Sequence, residues 1–118
     1  MPKRRILVVD DEPLIRNAVS VRLVRMGFEI FQASSAMEAM KLVADKALDL
    51  VITDNDMPGR KGVELTAIIK EVEPTLPVFI FTGLLSGLGP HNADAVFEKP
   101  ADLAKIFTAV LELLGNPR

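Results

Sequence analysis

The chain has 118 residues, with 14 Lys and Arg against 16 Asp and Glu for a formal net charge of −2, and no Cys. That length suits one domain, residues 1–118, and a hydrophobic fraction of 49% is enough to build a core. Near-neutral charge argues against a nucleic-acid binder, the lack of Cys excludes disulfides, thiolate metal sites and Cys nucleophiles, and no apolar run approaches the roughly 20 residues of a membrane span.

Lys3-Arg4-Arg5 reads as a solvated start to the first strand rather than a binding patch. The first apolar run, Ile6–Val9, stops at two aspartates, so it is not a secretion signal, and a soluble, cytoplasmic protein is expected. From Pro13 to Met26, residues Ile15, Ala18, Val19, Leu23 and Met26 recur at helical spacing, with Pro13 fit for a first turn and Gly27 for the position after the last. A second strand, Glu29–Ala33, leads to Ser34 or Ser35 as cap of a helix over Ser35–Ala47, whose stripe is Ala36, Ala39, Met40, Val43 and Ala47. Leu50–Thr53 is the third strand, and Leu65, Ile68, Ile69 and Val72 mark a helix that ends before Pro74. Val78–Phe81 is the fourth strand. Gly83, Gly87, Gly89 and Pro90 then leave room for a short helix at most. Ala95–Phe97 is the fifth strand. The last helix carries Leu103, Ile106, Phe107, Val110, Leu111 and Leu114, with Asp102 as cap and Gly115 as stop.

Strands alternating with helices imply an α/β domain with a parallel sheet wound on both faces, and such folds bind ligands beyond the carboxyl ends of their strands. The residues found there are Asp10-Asp11, Asp54-Asn55-Asp56, Thr82-Gly83 and Lys99-Pro100. Carboxylates crowded together repel one another unless a cation sits among them, and such oxygens suit Mg²⁺. A carboxylate also serves as a nucleophile toward phosphorus, and the transferring group's negative oxygens need cations and donors around them.

These residues, with Met57-Pro58 and Gly62, resemble the response-regulator receiver family over essentially the whole chain. The resemblance implies a five-stranded, flavodoxin-like sheet of order 2-1-3-4-5. It implies Asp54 as phosphoacceptor, Asp11 as direct Mg²⁺ ligand, Asp10 acting mainly through metal-bound water, and the Asp56 backbone carbonyl as a further ligand alongside Asp54. Thr82 and Lys99 would each meet a phosphoryl oxygen, and Lys99-Pro100 resembles the family's cis peptide. The implied donor is a phosphohistidine on a histidine kinase or histidine phosphotransfer protein. The face carrying Leu14 and Ile15, with Pro100 across the acidic pocket, is implied as its docking surface; Val21 lies one heptad from Leu14, off the core stripe. The implied onward partner is a downstream protein or a linked output domain, with neither nucleic acid nor membrane contacted. Only Gly115-Asn116-Pro117-Arg118 follow the last helix, and the sequence fits a stand-alone receiver or a fragment equally.

Three features depart from the family. Val96 stands where it commonly has an aromatic, and neighbouring Phe97 points to the opposite face and reads as core. Thr82 and Lys99 are about five residues closer than expected, so the fourth helix should be short or missing and signalling should not use the usual surface built on it. Asp56 puts an acid two residues after the phosphoacceptor, which should alter acyl-phosphate lifetime. His91, in a Gly/Pro-rich loop, reads as solvent-exposed. Two other functions compete: a phosphorylation-independent adaptor, against which all the chemical residues stand, and a haloacid-dehalogenase-like phosphatase suggested by Asp54-x-Asp56, whose motif belongs after the first strand rather than the third.

Overall fold

The computed structural model describes residues 2–116; Met1, Pro117 and Arg118, which the expected 1–118 domain includes, lie outside them. Five strands, β1 (Arg5–Val9), β2 (Glu29–Ala33), β3 (Leu50–Asp54), β4 (Val78–Thr82) and β5 (Ala95–Glu98), alternate with α1 (Pro13–Arg25), α2 (Ala36–Asp45), α3 (Gly62–Val72) and α4 (Leu103–Leu114). All pairings are parallel and the order is β2-β1-β3-β4-β5, as the resemblance implied. No helix among the described residues is long and apolar enough to cross a membrane.

Every residue of β3 and β4 is buried, which is why these strands read as unbroken apolar runs rather than alternating ones. On one face, Ile6, Val8, Ile52, Phe79, Phe81 and Phe97 pack under α1 and α4 through Val19, Leu23, Ile106, Phe107 and Val110. On the other, Leu7, Val9, Val51 and Val78 pack under α2 and α3 through Ala39, Val43, Leu65 and Ile69. Each fully buried Leu, Ile or Phe contributes roughly 1.5–3 kcal/mol. Phe97 is core as expected, its ring 5.4 Å from that of Phe79, whereas Val96 pairs with Ile80.

Helix boundaries depart modestly from expectation. Helix α1 is capped at Met26, with Gly27 at φ 106° beyond it, and its buried face is Val19, Ser20 and Leu23, leaving the expected Ala18 exposed. Helix α2 stops at Asp45, short of Ala47, because Lys46 is extended. Ser35, not Ser34, is its N-cap: its hydroxyl accepts the Glu38 N–H, while the Ser34 hydroxyl donates to the Glu38 carboxylate. Asp102 precedes α4 but its carboxylate does not cap that helix; it turns back to accept the Glu98 N–H at 2.9 Å. Val72 is exposed at the C-terminal end of α3.

The segment after β4 holds one 3₁₀ turn, Leu85–Gly87, where the family would have a helix. With no helix there, the start of β5 is held by charge. Lys70 on α3 donates to the Leu76 carbonyl and to Asp94, both at 2.7 Å, and the Asp94 carboxylate also accepts the Val78 N–H at 2.8 Å. Burial acts against ionisation of Asp94, but the Lys70 ammonium and the Val78 N–H outweigh it and hold its pKa below the ordinary 3.8. A folded-state pKa below the unfolded one gives stability that is present above the unfolded value and lost as pH falls through the folded one. Asp94→Ala is expected to cost about 1 kcal/mol near neutral pH, reduced from a buried pair's value by solvent screening. Denaturant melts of both proteins check this, and the gap between them should close as pH drops below about 4.

Candidate functional site

Parallel pairing sets Val9 beside Thr53 and Asp54 beside Phe81, so β1 and β3 deliver Asp10 and Asp54 to the same rim. Both are 3% exposed. Lys99, one residue beyond β5, reaches across the Phe81 ring, with Nζ 5.4 Å from its centroid, to sit 3.0 Å from Asp10 Oδ2 and 3.2 Å from Asp54 Oδ1. The peptide bond between Lys99 and Pro100 is cis, as the resemblance implied. Lys99 N–H donates to the Thr82 carbonyl at 2.7 Å, which continues the ladder to this residue.

The electrostatics follow from burial. Desolvation pushes the Asp10 carboxyl above its usual pKa, and the charge of Asp54 adds to that; the Glu12 N–H and Lys99 pull it down without cancelling the rise. Burial opposes the charge on Lys99, yet the hydrogen bond to Asp10 and the fields of Asp10 and Asp54 hold its pKa above the ordinary lysine value. The ammonium is therefore a permanent cation wedged between two carboxylates.

The chemistry of the donor set fits a hard dication. One carboxylate oxygen from each of Asp10, Asp11 and Asp54 lies within 4.8 Å of the others, and three carboxylates against one ammonium leave a deficit of two positive charges. Asp10 and Asp54 are buried and Asp11 half-buried, so the cluster opens to solvent on the Asp11 side. The Glu12 N–H donates to Asp10 Oδ1 at 2.9 Å, and Glu12, the N-cap residue of α1, makes no side-chain cap. The acidic run is thus shaped around the rim rather than spent on capping the helix.

Thr82 is fully buried, and its hydroxyl donates to Asp56 Oδ2 at 3.2 Å. The Asp56 N–H donates to Asp54 Oδ1 at 3.2 Å; no donor among the described residues meets Asp54 Oδ2. Asp10, Asp11, Asp54, Asp56, Thr82 and Lys99 are therefore all brought to one rim. Of the expected docking residues, Leu14 is 85% exposed, Pro100 is exposed, and Ile15 is half-buried against the core under α1. His91 is exposed and accepts the Ala93 N–H.

Three supporting roles escaped sequence reasoning. Arg16 donates to the Asp10 carbonyl at 2.7 Å and to Gln32 at 3.0 Å, tying the acidic turn to β2. Buried Asn55 accepts the Val63 N–H with its side chain and the Gly62 N–H with its carbonyl, locking α3 against the end of β3. Asp102 braces the residue before Lys99. Their partners lie across loops or on other strands, so no local spacing marks them; the Asn between two acids at a strand end was the one available signal. Gly62 is needed for this close approach, because a Cβ there would stand 2.9 Å from the Asn55 Cα and 3.0 Å from the Asp54 carbonyl carbon.

Fold and rim together define a doubly wound α/β domain that holds a lysine and a cation site over a buried aspartate. Residues 6–111 match the response regulator receiver domain, and the chain belongs to that family. It is 32% identical over 123 aligned positions to the DNA-binding transcriptional regulator NtrC of Bradyrhizobium sp. (strain RP501 Parasponia), covering 100% of this chain and 26% of that protein. It is 29% identical to the sporulation initiation phosphotransferase F of Bacillus subtilis, over 97% of this chain and 96% of that one. Response regulator protein TrrA of Thermotoga maritima, solved in complex with Mg²⁺-BeF, superposes with a TM-score of 0.85 at 34% identity, covering 93% of this chain and 98% of that one. The chain spans about a quarter of the NtrC-type regulators it matches and nearly all of the sporulation protein. It is a signalling domain rather than a turnover enzyme, and its acidic cluster fits a phosphoacceptor site with Mg²⁺.

Gly62→Ala is expected to force α3 away from β3 and to destabilise the fold by roughly 1–3 kcal/mol, the usual cost of overpacking a filled site. Thermal melts check the loss. In the ¹H–¹⁵N spectrum the largest shifts should fall on Asp54 to Val63, with the α4 amides unmoved.

Proposed function

We propose that this domain carries a phosphoryl group on Asp54, received from a phosphohistidine of a histidine kinase or histidine phosphotransfer protein in the cytoplasm. The observation that carries the reading is the Lys99 ammonium held within 3.2 Å of both Asp10 and Asp54, beside a three-carboxylate cation site. A lone pair of an Asp54 carboxylate oxygen attacks phosphorus in line with the scissile P–N bond. That bond breaks, the imidazole nitrogen keeps its electron pair, and the acyl phosphate remains on Asp54. Oδ2, which meets no donor among the described residues, has its lone pairs available for this attack.

Asp10, Asp11 and Asp54, with the Asp56 backbone carbonyl, would hold Mg²⁺, which supplies positive charge to the transferring group's oxygens. Lys99 stays protonated throughout and pairs with a phosphoryl oxygen as the Asp54 charge is consumed. Thr82 donates its hydroxyl proton to another. Burial of Asp54 and Thr82 strengthens both interactions relative to open water. The domain thereby promotes its own phosphorylation, as well as later loss of the group, with no substrate turnover. Asp56, exposed and turned to Thr82, is not placed as the acid/base of a phosphatase.

Incubation with acetyl phosphate and Mg²⁺ is expected to give acid-labile phosphate at one per chain. Asp54→Asn or chelation of the metal should abolish it, and Lys99→Met should slow it by at least tenfold. Labelling that survives Asp54→Asn at the wild-type rate removes the assignment.

The docking face is proposed as Leu14, Ile15 and Pro100. Leu14 is the most exposed large apolar residue among those described, and it stands on the first turn of α1, beside the acidic rim. Leu14→Asp is expected to cut transfer from a phosphohistidine donor by about tenfold while acetyl phosphate labelling stays at the wild-type rate. Equal loss of both activities would assign Leu14 to the fold instead.

A further inference from the structure

The hydroxyl of Thr82 has one proton, and in this structure it is already taken. It points to Asp56 Oδ2 at 3.2 Å. The same oxygen accepts the Leu84 N–H at 3.4 Å, so Thr82 links Asp56 to the segment that follows β4. That segment is short, carries a single 3₁₀ turn, and displays Leu84 and Leu85 at 62% and 38% exposure. Asp56 itself is anchored: its N–H donates to Asp54 Oδ1 at 3.2 Å, which fixes the backbone from which its carboxylate reaches Thr82.

Resting on the phosphoacceptor reading of Asp54, we propose that the Asp56 side chain is a positioning residue that holds the Thr82 hydroxyl in a resting orientation, in direct competition with the phosphoryl group. A hydroxyl donates to one acceptor at a time. For Thr82 to bond a phosphoryl oxygen, its bond to Asp56 must break, and a χ1 change that re-aims it carries along the oxygen that accepts from Leu84. The acid two residues beyond the phosphoacceptor therefore does more than add negative charge. It makes occupation of the site a switch of one hydrogen bond from one acceptor to another, made by the oxygen to which the Leu84 N–H is bonded. The exposed leucine pair begins at the residue bonded to that oxygen, in the place where a helix would otherwise stand.

Competition and simple charge repulsion make different predictions, because only competition needs the hydroxyl. Beryllofluoride with Mg²⁺ serves as the phosphoryl probe, followed by ¹⁹F and ¹H–¹⁵N NMR on the full chain. Asp56→Ala is expected to tighten apparent beryllofluoride affinity by about tenfold, the scale of one partly screened charge-assisted hydrogen bond. Asp56→Asn, which keeps a weaker neutral acceptor, should give a smaller gain. In a Thr82→Val background the Asp56→Ala effect should fall to twofold or less. The Leu84 amide in Asp56→Ala should also shift, before any probe is added, toward its position in the beryllofluoride-bound wild type.

An Asp56→Ala gain that persists in full in Thr82→Val, or equal gains for Ala and Asn, would overturn the latch and leave charge alone as the cause. An unmoved Leu84 amide would overturn the link to the surface. Failure of wild type to bind beryllofluoride at all, with Asp54→Asn indistinguishable from it, would instead count against the phosphoacceptor reading itself. Melting temperatures of the wild type and all five variants separate these outcomes from loss of fold.

Discussion

The structure depends on a lysine ammonium placed between two buried carboxylates. Asp10 and Asp54 stand at the ends of adjacent parallel strands, where neighbouring backbones are only about 4.8 Å apart. Two anions so close, and so little exposed, are costly unless a cation comes between them. Lys99 cannot do this from a neighbouring strand. It starts one strand further out, beyond β5, and its stem crosses the face of Phe81 on β4 to reach the pair. The charged head lies over an aromatic ring as well as between the two acids. The same residue thus neutralises the buried acids and prepares the site.

That arrangement explains why the rest of the rim is braced by polar contacts of modest strength. Arg16 fixes the turn that presents Asp10, Asn55 fixes the turn after Asp54, and Asp102 fixes the residue before Lys99. Each acts on backbone groups, so each controls where a functional side chain begins rather than touching the chemistry. Catalytic geometry is sensitive to displacements of about 1 Å, which makes such indirect supports as consequential as the charged groups they orient.

The missing fourth helix reshapes one edge of the domain. Receivers with a full helix after β4 can place an ordered surface beside β5; here a 3₁₀ turn and two exposed leucines occupy that position. The Lys70–Asp94 pair, at the other end of β5, takes over part of the tethering, joining α3 to the approach to β5. Charge has replaced apolar packing at this edge. Partly exposed ion pairs are worth less than buried contacts, so this tether is weaker than the apolar packing of the inner strands.

All five strands, the four helices and every residue of the acidic rim were readable from the chain itself. Strands buried on both faces betray themselves as continuous apolar runs, and chemistry in this architecture collects just after them. Short-range rules also located Pro13 at the start of α1, Gly27 after its end and the weakness between Gly83 and Asn92. They failed where the deciding partner lies elsewhere in space. Ala18 is spaced as core but faces solvent, because packing against β1 and β2 rotates α1 toward Val19 and Ser20. Asp102 has the composition of a cap, yet a better acceptor role was open to it on β5. The Asp56–Thr82 bond spans 26 residues and two strands, and the supports from Arg16 and Asn55 likewise exist only once the sheet is assembled. Periodicity and turn chemistry are local properties, and a chain carries them before it folds. Which polar group finds which partner is set by strand order and register, and those belong to the folded molecule alone.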